Sequence, residues 1–580
     1  MTSATPRNWP YPGSGWWKFD FHTHTPYSHD TPWHRLIGTA DELTPEAWLQ
    51  RYMDAGIDCV AVTDHNGAGW VNQLKSAYTA MKAAGGPNFR ELYLFPGVEI
   101  SVNGGFHLLA IFDCSKSDTD IVSLLGAVGF PADLYGQTDS ADQAATTRKS
   151  AIEVIEEIAR IGGLSIPAHA DNDKGLLRLK EGSTTKAAFD SGTLRMVLQS
   201  PHILGMEYVN PATPKPAIFK EERCCWAEVI GSDCHNFRKD PLPGSRYTWV
   251  KMEKPSLEGV RLALLDGNGI SIRRNDESGF DPFSTPEHFI TGVTISGARK
   301  MGLKQPETFD LNPAFNAVVG GRGTGKSTIV HFLRLAYRRE GELREPLLRN
   351  EDPAAKTFER FARMPDREGA GAFSTDDTTS VTVNVMRDGV PHRLIWKQVK
   401  DSGILRVEYE TPSGWMLSPN QEVTPTLFPL RLFSQGQLAG LSSDRGHALL
   451  DIIDQGSNAF AAKQDIEDER RRFLSLRAKI RELDGKLSGR SALGVGLDDV
   501  KRKLERFEQA QHAQVLQSIP GARWALRMNP SSGNLHPTEG YVILQEEADC
   551  GPGIYHYSPF LHALEYRADL PAELAGQMRA

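Results

Sequence analysis

The sequence predicts an α/β protein of several domains: a barrel-like α/β domain, half of a phosphate-binding α/β domain, a short helical pair and a small α+β segment. Three observations predict it. From about Trp16 to Asp276, short β-like runs alternate with helical patterns, and five of the runs end in a histidine or an acid. From about His288 to Gln455 a second α/β unit surrounds a glycine-rich turn. From Ser457 the texture becomes charged and helical, and near Gln517 it changes again to a Gly/Pro/Tyr-rich segment that runs to Ala580.

At one domain per ~150 residues, 580 residues predict about four domains. Apolar residues at 40% and charged residues at 24% exclude a wholly disordered or fibrous chain. The 65 basic and 73 acidic residues leave a net charge of −8, which excludes a generic polyanion coat but not a local basic patch. Six cysteines with no CxxC pair argue for a reducing compartment. Met1 to Gly15 has no apolar h-region, and no run approaches 18 apolar residues, so a cytoplasmic protein without membrane contact is expected.

Apolar residues at three- and four-residue spacing predict helices over Pro45–Ala55, Val71–Ala84 and Thr146–Ile161. Thr379 to Met416 reads as antiparallel strands broken at Asp388-Gly389 and Ser413-Gly414, after a polar loop over Asp366–Thr378. Ile466, Phe473, Ile480 and Leu487 are spaced by sevens, with Leu476 and Leu483 at the +3 positions. After a Ser/Gly break at Ser488–Gly496, Leu497, Val500, Leu504 and Phe507 resume the stripe. A short antiparallel coiled coil over 457–517 is predicted, two helices packed on a globular body being the alternative.

The histidines and acids sit where chemistry is built. Trp17–Phe21 ends in His22-Thr23-His24, and Cys59–Val62 in Asp64-His65-Asn66. Leu92–Phe95 leads to Glu99, Leu164–Ile166 to His169, and Trp226–Ile230 to Asp233-Cys234-His235. In a βα barrel the C-terminal strand ends converge on one face. In HxH and DxH along extended backbone, residues i and i+2 point the same way and can reach one metal cluster. Mixed imidazole and carboxylate ligands suit Zn, Mn or Fe, and two or three such ions can activate water and clamp a phosphate ester. His202 and Cys225 have no comparable placement and read as structural.

HTH near the start, TDHN, PGVEIS, a later His and SDCHN together resemble the PHP (polymerase and histidinol phosphatase) domain over roughly Phe19 to Asp276. The resemblance implies a distorted seven-stranded βα barrel, a di- or trinuclear metal site and phosphoesterase activity. It implies the ligand set His22, His24, Asp30, His65, Glu99, His107, His169, Asp233 and His235, with Glu99 bridging. Asp30 stands eight residues after His22, and neighbouring His29 is its rival. Asp64 reads as an orienter of the ligands. Arg246, with Lys251, is a candidate for binding the substrate phosphate, ordinary surface charge being the alternative.

The second constellation is Gly320-Gly321-Arg322-Gly323-Thr324-Gly325-Lys326-Ser327, between a predicted strand Phe315–Val319 and a predicted helix Ser327–Leu335. In G-x4-G-K-S the glycines let backbone N–H groups approach phosphates, the lysine reaches the β/γ oxygens and the serine ligates Mg²⁺. Gly320, Gly323, Gly325, Lys326, Ser327 and Thr328 are therefore candidate ATP–Mg contacts. FNAVVGGRGTGKST resembles the N-terminal lobe of SMC-type ABC ATPases, which implies a strand leading to a Gln loop at Arg431–Gln437. There Gln435, or alternatively Gln437, would sense Mg²⁺. Leu487–Arg490 and Leu493–Asp499 superficially match that group's signature loop and Walker B strand but are read as a turn. Half of an ATPase is expected, and hydrolysis is not. The pairing of modules resembles TrlF-like PHP–ATPases, which implies action on nucleic acid and a homodimer through the ATPase module.

Arg527–Glu539 resembles the flavin-contacting segment of nitroreductase-like (SagB-type) FMN oxidoreductases. Residues 518–580 are too few to build that dimeric fold, so FMN is not expected to bind and a joined gene fragment is. The leading expectation is a metal-dependent phosphoesterase or nuclease with an ATP-binding module. A small-molecule phosphatase and an ATP-switched, non-enzymatic nucleic-acid-binding protein stay open beside it.

Overall fold

Strand β1 (Gly15–Thr23) is buried along most of its length, and its odd residues Trp17, Phe19 and Phe21 fill an inner apolar cluster. The next strands split by alternation: in β2 (Cys59–Val62) Cys59 and Ala61 join that inner cluster, whereas Val60 and Val62 face an outer one. The structure, a computed structural model, describes residues 9–138, 145–239, 241–344, 353–366, 369–434, 450, 453 and 459–509. It divides into two units, Met1–His447 and Ala448–Ala580.

Five more strands complete the first sheet: β3 (Tyr93–Val102), β4 (Phe106–Ile111), β5 (Leu164–Pro167), β8 (Thr248–Met252) and β9 (Ile272–Arg274). Their order is β5-β4-β3-β2-β1-β8-β9. Within this sheet, among the described residues, only β1, β2 and β3 run parallel. Left-handed Gly104 and Gly105 turn the chain so that β4 returns antiparallel between β3 and β5. Short strands β6 (Gly205–Glu207) and β7 (Ala227–Val229) pair with each other. Single bridges, Ser165 to Ile203 and Thr23 to Cys234, link this pair to β5 and to β1. The architecture is a curled half-barrel, not a ring of seven alternating βα units.

Among the described residues, seven α-helices pack around it: α1 (Pro45–Asp54), α2 (Val71–Ala84), α3 (Asp118–Ala127), α4 (Ala151–Arg160), α5 (Ser191–Leu198), α6 (Ala217–Glu221) and α7 (Leu257–Asp266). Thr44 caps α1 by accepting from Ala47 N–H, with Pro45 at the first helical position. α4 starts later than its periodicity suggests because Ser150 and Glu153 form a capping box there.

A second sheet is antiparallel throughout, ordered β11-β10-β12-β13-β14-β15. Its strands are β10 (His288–Ser296), β11 (Glu307–Asp310), β12 (Ser380–Arg387), β13 (Val390–Val399), β14 (Ser402–Thr411) and β15 (Gly414–Leu417). The Asp388-Gly389 hairpin turn has positive φ at both residues, the geometry that matches strand twist. Helix α8 (Lys326–Ala336) lays Phe332 and Leu335 against Val381, Val383 and Leu394, and α9 (Pro353–Phe361) adds Phe358 and Phe361.

Three expectations fail here. Phe315–Val319 is not a strand: Phe315 and Val319 are each 89% exposed, and no described strand lies beside them to complete a hydrogen-bonded ladder. No strand leads up to residue 434 either. That segment is instead held by buried arginines: Arg334 donates to Leu432 O and Arg339 to Phe428 O. Gln435 and Gln437 lie outside the described residues, as do residues 518–580 and the flavin-like segment.

The third failure concerns the heptad region. Helix α10 (Ala459–Gln509) is one continuous helix of 51 residues, ~76 Å long, with no turn at Ser488–Gly496 and, among the described residues, no antiparallel return. No proline interrupts the segment, and isolated glycines weaken a helix by about 1 kcal/mol each without breaking it. The heptad residues Ile466, Phe473, Ile480 and Leu487 are all exposed. Among the described residues, no helix is long and apolar enough to cross a membrane.

Candidate metal centre

Glu99 is the hub. It sits inside β3 rather than at its end, 1% exposed, and its two oxygens divide the surrounding imidazoles. Oε2 lies 3.1 Å from His22 Nε2, 2.9 Å from His65 Nδ1 and 3.6 Å from His24 Nε2. Oε1 lies 2.7 Å from His107 Nδ1 and 3.0 Å from His169 Nε2. His107 reaches the centre because β4 runs back beside β3, two residues past the Gly104-Gly105 turn. The neighbouring carboxylates complete the cluster. Asp233 Oδ1 lies 3.1 Å from His24 Nε2, and Asp30 Oδ2 lies 3.2 Å from His65 Nε2 and 3.1 Å from His235 Nε2. The structure thus brings all nine sequence-derived ligand candidates together. His29, the rival of Asp30, stacks on His34 instead, with ring centroids 4.0 Å apart.

Local backbone explains how they converge. His169 and Asp233 both adopt left-handed conformations, φ 28° and 51°, which cost energy for residues with a Cβ and concentrate at functional sites. Gly231 lets β1 approach this turn, since a Cβ there would lie 2.5 Å from His22 N. Trp48 of α1 donates its indole N–H to His24 O, fixing the end of β1.

Asp64 does not touch His65's ring. Its Oδ1 accepts from Thr25 N and Ser28 Oγ, and its Oδ2 from Thr25 Oγ1. Ser28 Oγ in turn lies 3.1 Å from His24 Nδ1 and accepts from His65 N. Asp64 therefore orders the loop that carries His24. Lys251 does not join the centre; its ammonium lies over the Trp16 ring, near the opposite end of β1. Arg246 lines a cavity of ≈ 580 Å³ together with His169, Glu207 and Asp233.

Sequence reasoning missed Glu207. Buried at the end of β6, it lies 2.8 Å from His22 Nδ1 and accepts from His169 N and Gly231 N. Holding Nδ1 this way leaves His22 Nε2 facing Glu99. A lone acid inside the apolar run Ile203–Val209 was the available signal.

Charge follows this packing. Burial opposes charge on His22, but Glu207, Asp233 and Glu99 outweigh it and hold its pKa well above the ordinary value. Against the same burial, Glu99 and Asp30 push His65 up to about 10. Burial and the neighbouring His235 bring His24 down to about 3. Burial would raise Glu99, yet His65, His22 and His107 draw it well below the carboxylate range. Asp30 and Asp233 are likewise depressed against burial, by His235 and His65 and by His22 and His24 respectively.

The donor set fits a cluster of cations. Three overlapping groups each place their ligand atoms within 4.8 Å of one another: His24/His65/His235, His22/His24/Glu99 and His65/Glu99/His107. Two buried ring nitrogens on the rim of the cluster, His107 Nε2 and His169 Nδ1, have no hydrogen-bond partner among the described residues. Such groups are costly to bury unless something else satisfies them.

The glycine-rich loop contrasts with this. Gly323 and Gly325 have φ 85° and 92°, and Lys326 opens α8. Lys326 Nζ donates to Gly320 O and Gly321 O, both at 2.6 Å. Ser327 is exposed and Thr328 half-buried in the first turn of α8.

No protein-family model matches the chain, and no curated protein is similar to it. Two solved structures show a likeness. One is an endonuclease Q in complex with a 27-mer duplex bearing an abasic lesion at the active site. It is 13% identical, with a TM-score of 0.27, over 44% of this chain and 57% of that one. The chain thus spans little more than half the length of that enzyme. The other is an amidohydrolase from Chromobacterium violaceum with bound sulfate and no metal, 14% identical. That likeness covers 35% of this chain and 95% of the other, with a TM-score of 0.20.

Proposed function

We propose that the half-barrel is a metal-dependent phosphoesterase acting on nucleic acid, and that residues 288–455 form a nucleotide-binding module that regulates it. The observation that carries the first part is Glu99, one buried carboxylate ringed by His22, His65, His107 and His169, with the second ring nitrogens of His107 and His169 buried and unpartnered.

His22, His24, Asp30, His65, Glu99, His107, His169, Asp233 and His235 would hold two or three divalent cations. Bound there, the cations supply Lewis-acid polarisation of a phosphoryl oxygen and a water acidic enough to act as nucleophile near neutral pH. Glu207 orients His22 through Nδ1, and Asp64 keeps the His24 loop in register. Arg246, on the cavity wall beside Asp233, binds the free oxygens of the phosphate. Phe19, Phe21 and Phe95 fill the barrel interior and exclude water from it. For the second module, left-handed Gly323 and Gly325 and the position of Lys326 support triphosphate binding.

The test is metal analysis with hydrolysis of labelled DNA, labelled RNA and p-nitrophenyl phosphate. Wild type is expected to hold metal and cleave, and His22→Ala and Asp233→Ala to lose both. Retention of metal and activity by both variants overturns the assignment.

A further inference from the structure

The cavity beside the metal centre has a second cation that the catalytic reading does not use. Arg178 lines it together with the candidate ligands His169 and Asp233 and with Arg246. The wall bearing Arg178 is rigidly built. It belongs to the loop that begins at His169, where Asp171 accepts from Val209 N and Asn210 N and so ties the loop to the end of β6. Leu176 and Leu177, fully buried, anchor the residues just before Arg178. Gly175 makes the bend: a Cβ there would lie 2.4 Å from His169 O.

The acids around this cavity are already committed. Asp171 spends both oxygens on backbone N–H groups, and Glu207 is held by His22, His169 N and Gly231 N. Asp173 pairs with Arg178 at 2.9 Å but is 93% exposed, and exposed pairs contribute about 0–1 kcal/mol. A phosphate, which offers a guanidinium two charge-assisted bonds, displaces such a partner readily. Arg246 lines the same cavity and lowers the pKa of Asp276 through its charge. A volume of ≈ 580 Å³ is in the range that holds a nucleotide-sized ligand.

We propose that Arg178 forms a subsite for a second phosphate, one nucleoside away from the phosphate that Arg246 holds at the metal centre. The substrate is then a polynucleotide strand, read by its repeating phosphates, in preference to an isolated phosphoester. This rests on the phosphoesterase reading above.

The test uses the full chain with TpTpT, TpT and p-nitrophenyl phosphate as substrates, comparing wild type with Arg178→Ala and Arg178→Lys. Arg178→Ala should raise KM for TpTpT about tenfold to a hundredfold with kcat nearly unchanged, and leave TpT and p-nitrophenyl phosphate within about twofold. Arg178→Lys should restore part of the loss. Independently of turnover, fluorescence anisotropy of labelled TpTpT on protein stripped with EDTA should show the same weakening. Equal effects on all three substrates, or no effect on TpTpT, overturn the subsite alone. A wild type that holds metal but cleaves none of the three overturns the phosphoesterase reading and the subsite with it.

Discussion

Around Glu99, side chains from β1, β3, β4 and the loops after β1, β2, β5 and β7 meet in a cluster whose centre is buried, each imidazole within 3.6 Å of a carboxylate oxygen. Around Lys326, one loop and one helix N-terminus carry the whole constellation, and the residues leading into it are exposed. The first centre is closed by the fold that builds it. The second is one wall, and Lys326 bonds to the loop's own carbonyls. A site assembled from many elements is coupled to the stability of its domain, whereas a site made by one turn is not. The two regions should therefore respond differently to perturbation.

The largest difference is expected at the hubs. Glu99→Gln removes the buried negative charge from among five imidazoles and should destabilise the metal-free half-barrel by about 3–5 kcal/mol. Thermal unfolding in EDTA measures it. A melting temperature unchanged from wild type would mean that the imidazoles do not depend on Glu99.

This contrast also explains what the sequence discloses. Ligands two residues apart at strand ends are legible because extended backbone forces them to one side, as with His22 and His24. The helix Val71–Ala84 and the Asp388-Gly389 turn are legible for similarly local reasons. What depends on distant chain is not. Glu207 acts only through residues far away in sequence, and β4 is placed by a hairpin that inverts an expected parallel sheet. Phe315–Val319 has strand composition, but a strand needs neighbours that its own residues do not announce. Ser488–Gly496 has turn composition, but no proline there stops a helix already under way.

A second difference lies in pH. His22 and His65 have folded pKa values above the unfolded 6.5, so their contribution is full below pH ~6.5 and lost as pH rises, for His65 through about 10. His24, held down to about 3, loses its contribution as pH falls below ~6.5. The depressed Glu99, Asp30 and Asp233 add a loss as pH falls below ~4. Metal-free protein should thus be most stable around pH 6. Metal must displace the imidazole protons, so loading should move the maximum to higher pH. Melting curves from pH 4 to 10, with and without EDTA, check this, and a maximum that does not move with metal would contradict it.

At the glycine-rich loop the effect should be on binding alone. Lys326→Ala is expected to weaken ATP binding about 100-fold while leaving the metal content and melting temperature of the half-barrel unchanged. Isothermal titration with ATP and Mg²⁺, read beside metal analysis, separates the two. A loss of metal in this variant would show that the loop is part of the barrel's folding unit, and the contrast between the regions would fail.

The smallest effect belongs to α10, the element least dependent on packing. A Cβ added at Gly489, Gly494 or Gly496 meets nothing within 4 Å, so alanine fits each position. Each substitution should favour the helix by about 1 kcal/mol. In the triple variant, helical content by circular dichroism should be unchanged or slightly higher, and the hydrodynamic radius unchanged. A hairpin bent at these glycines would respond in the opposite sense, because alanine resists the backbone conformations a turn requires, and the radius would grow as the two arms straightened.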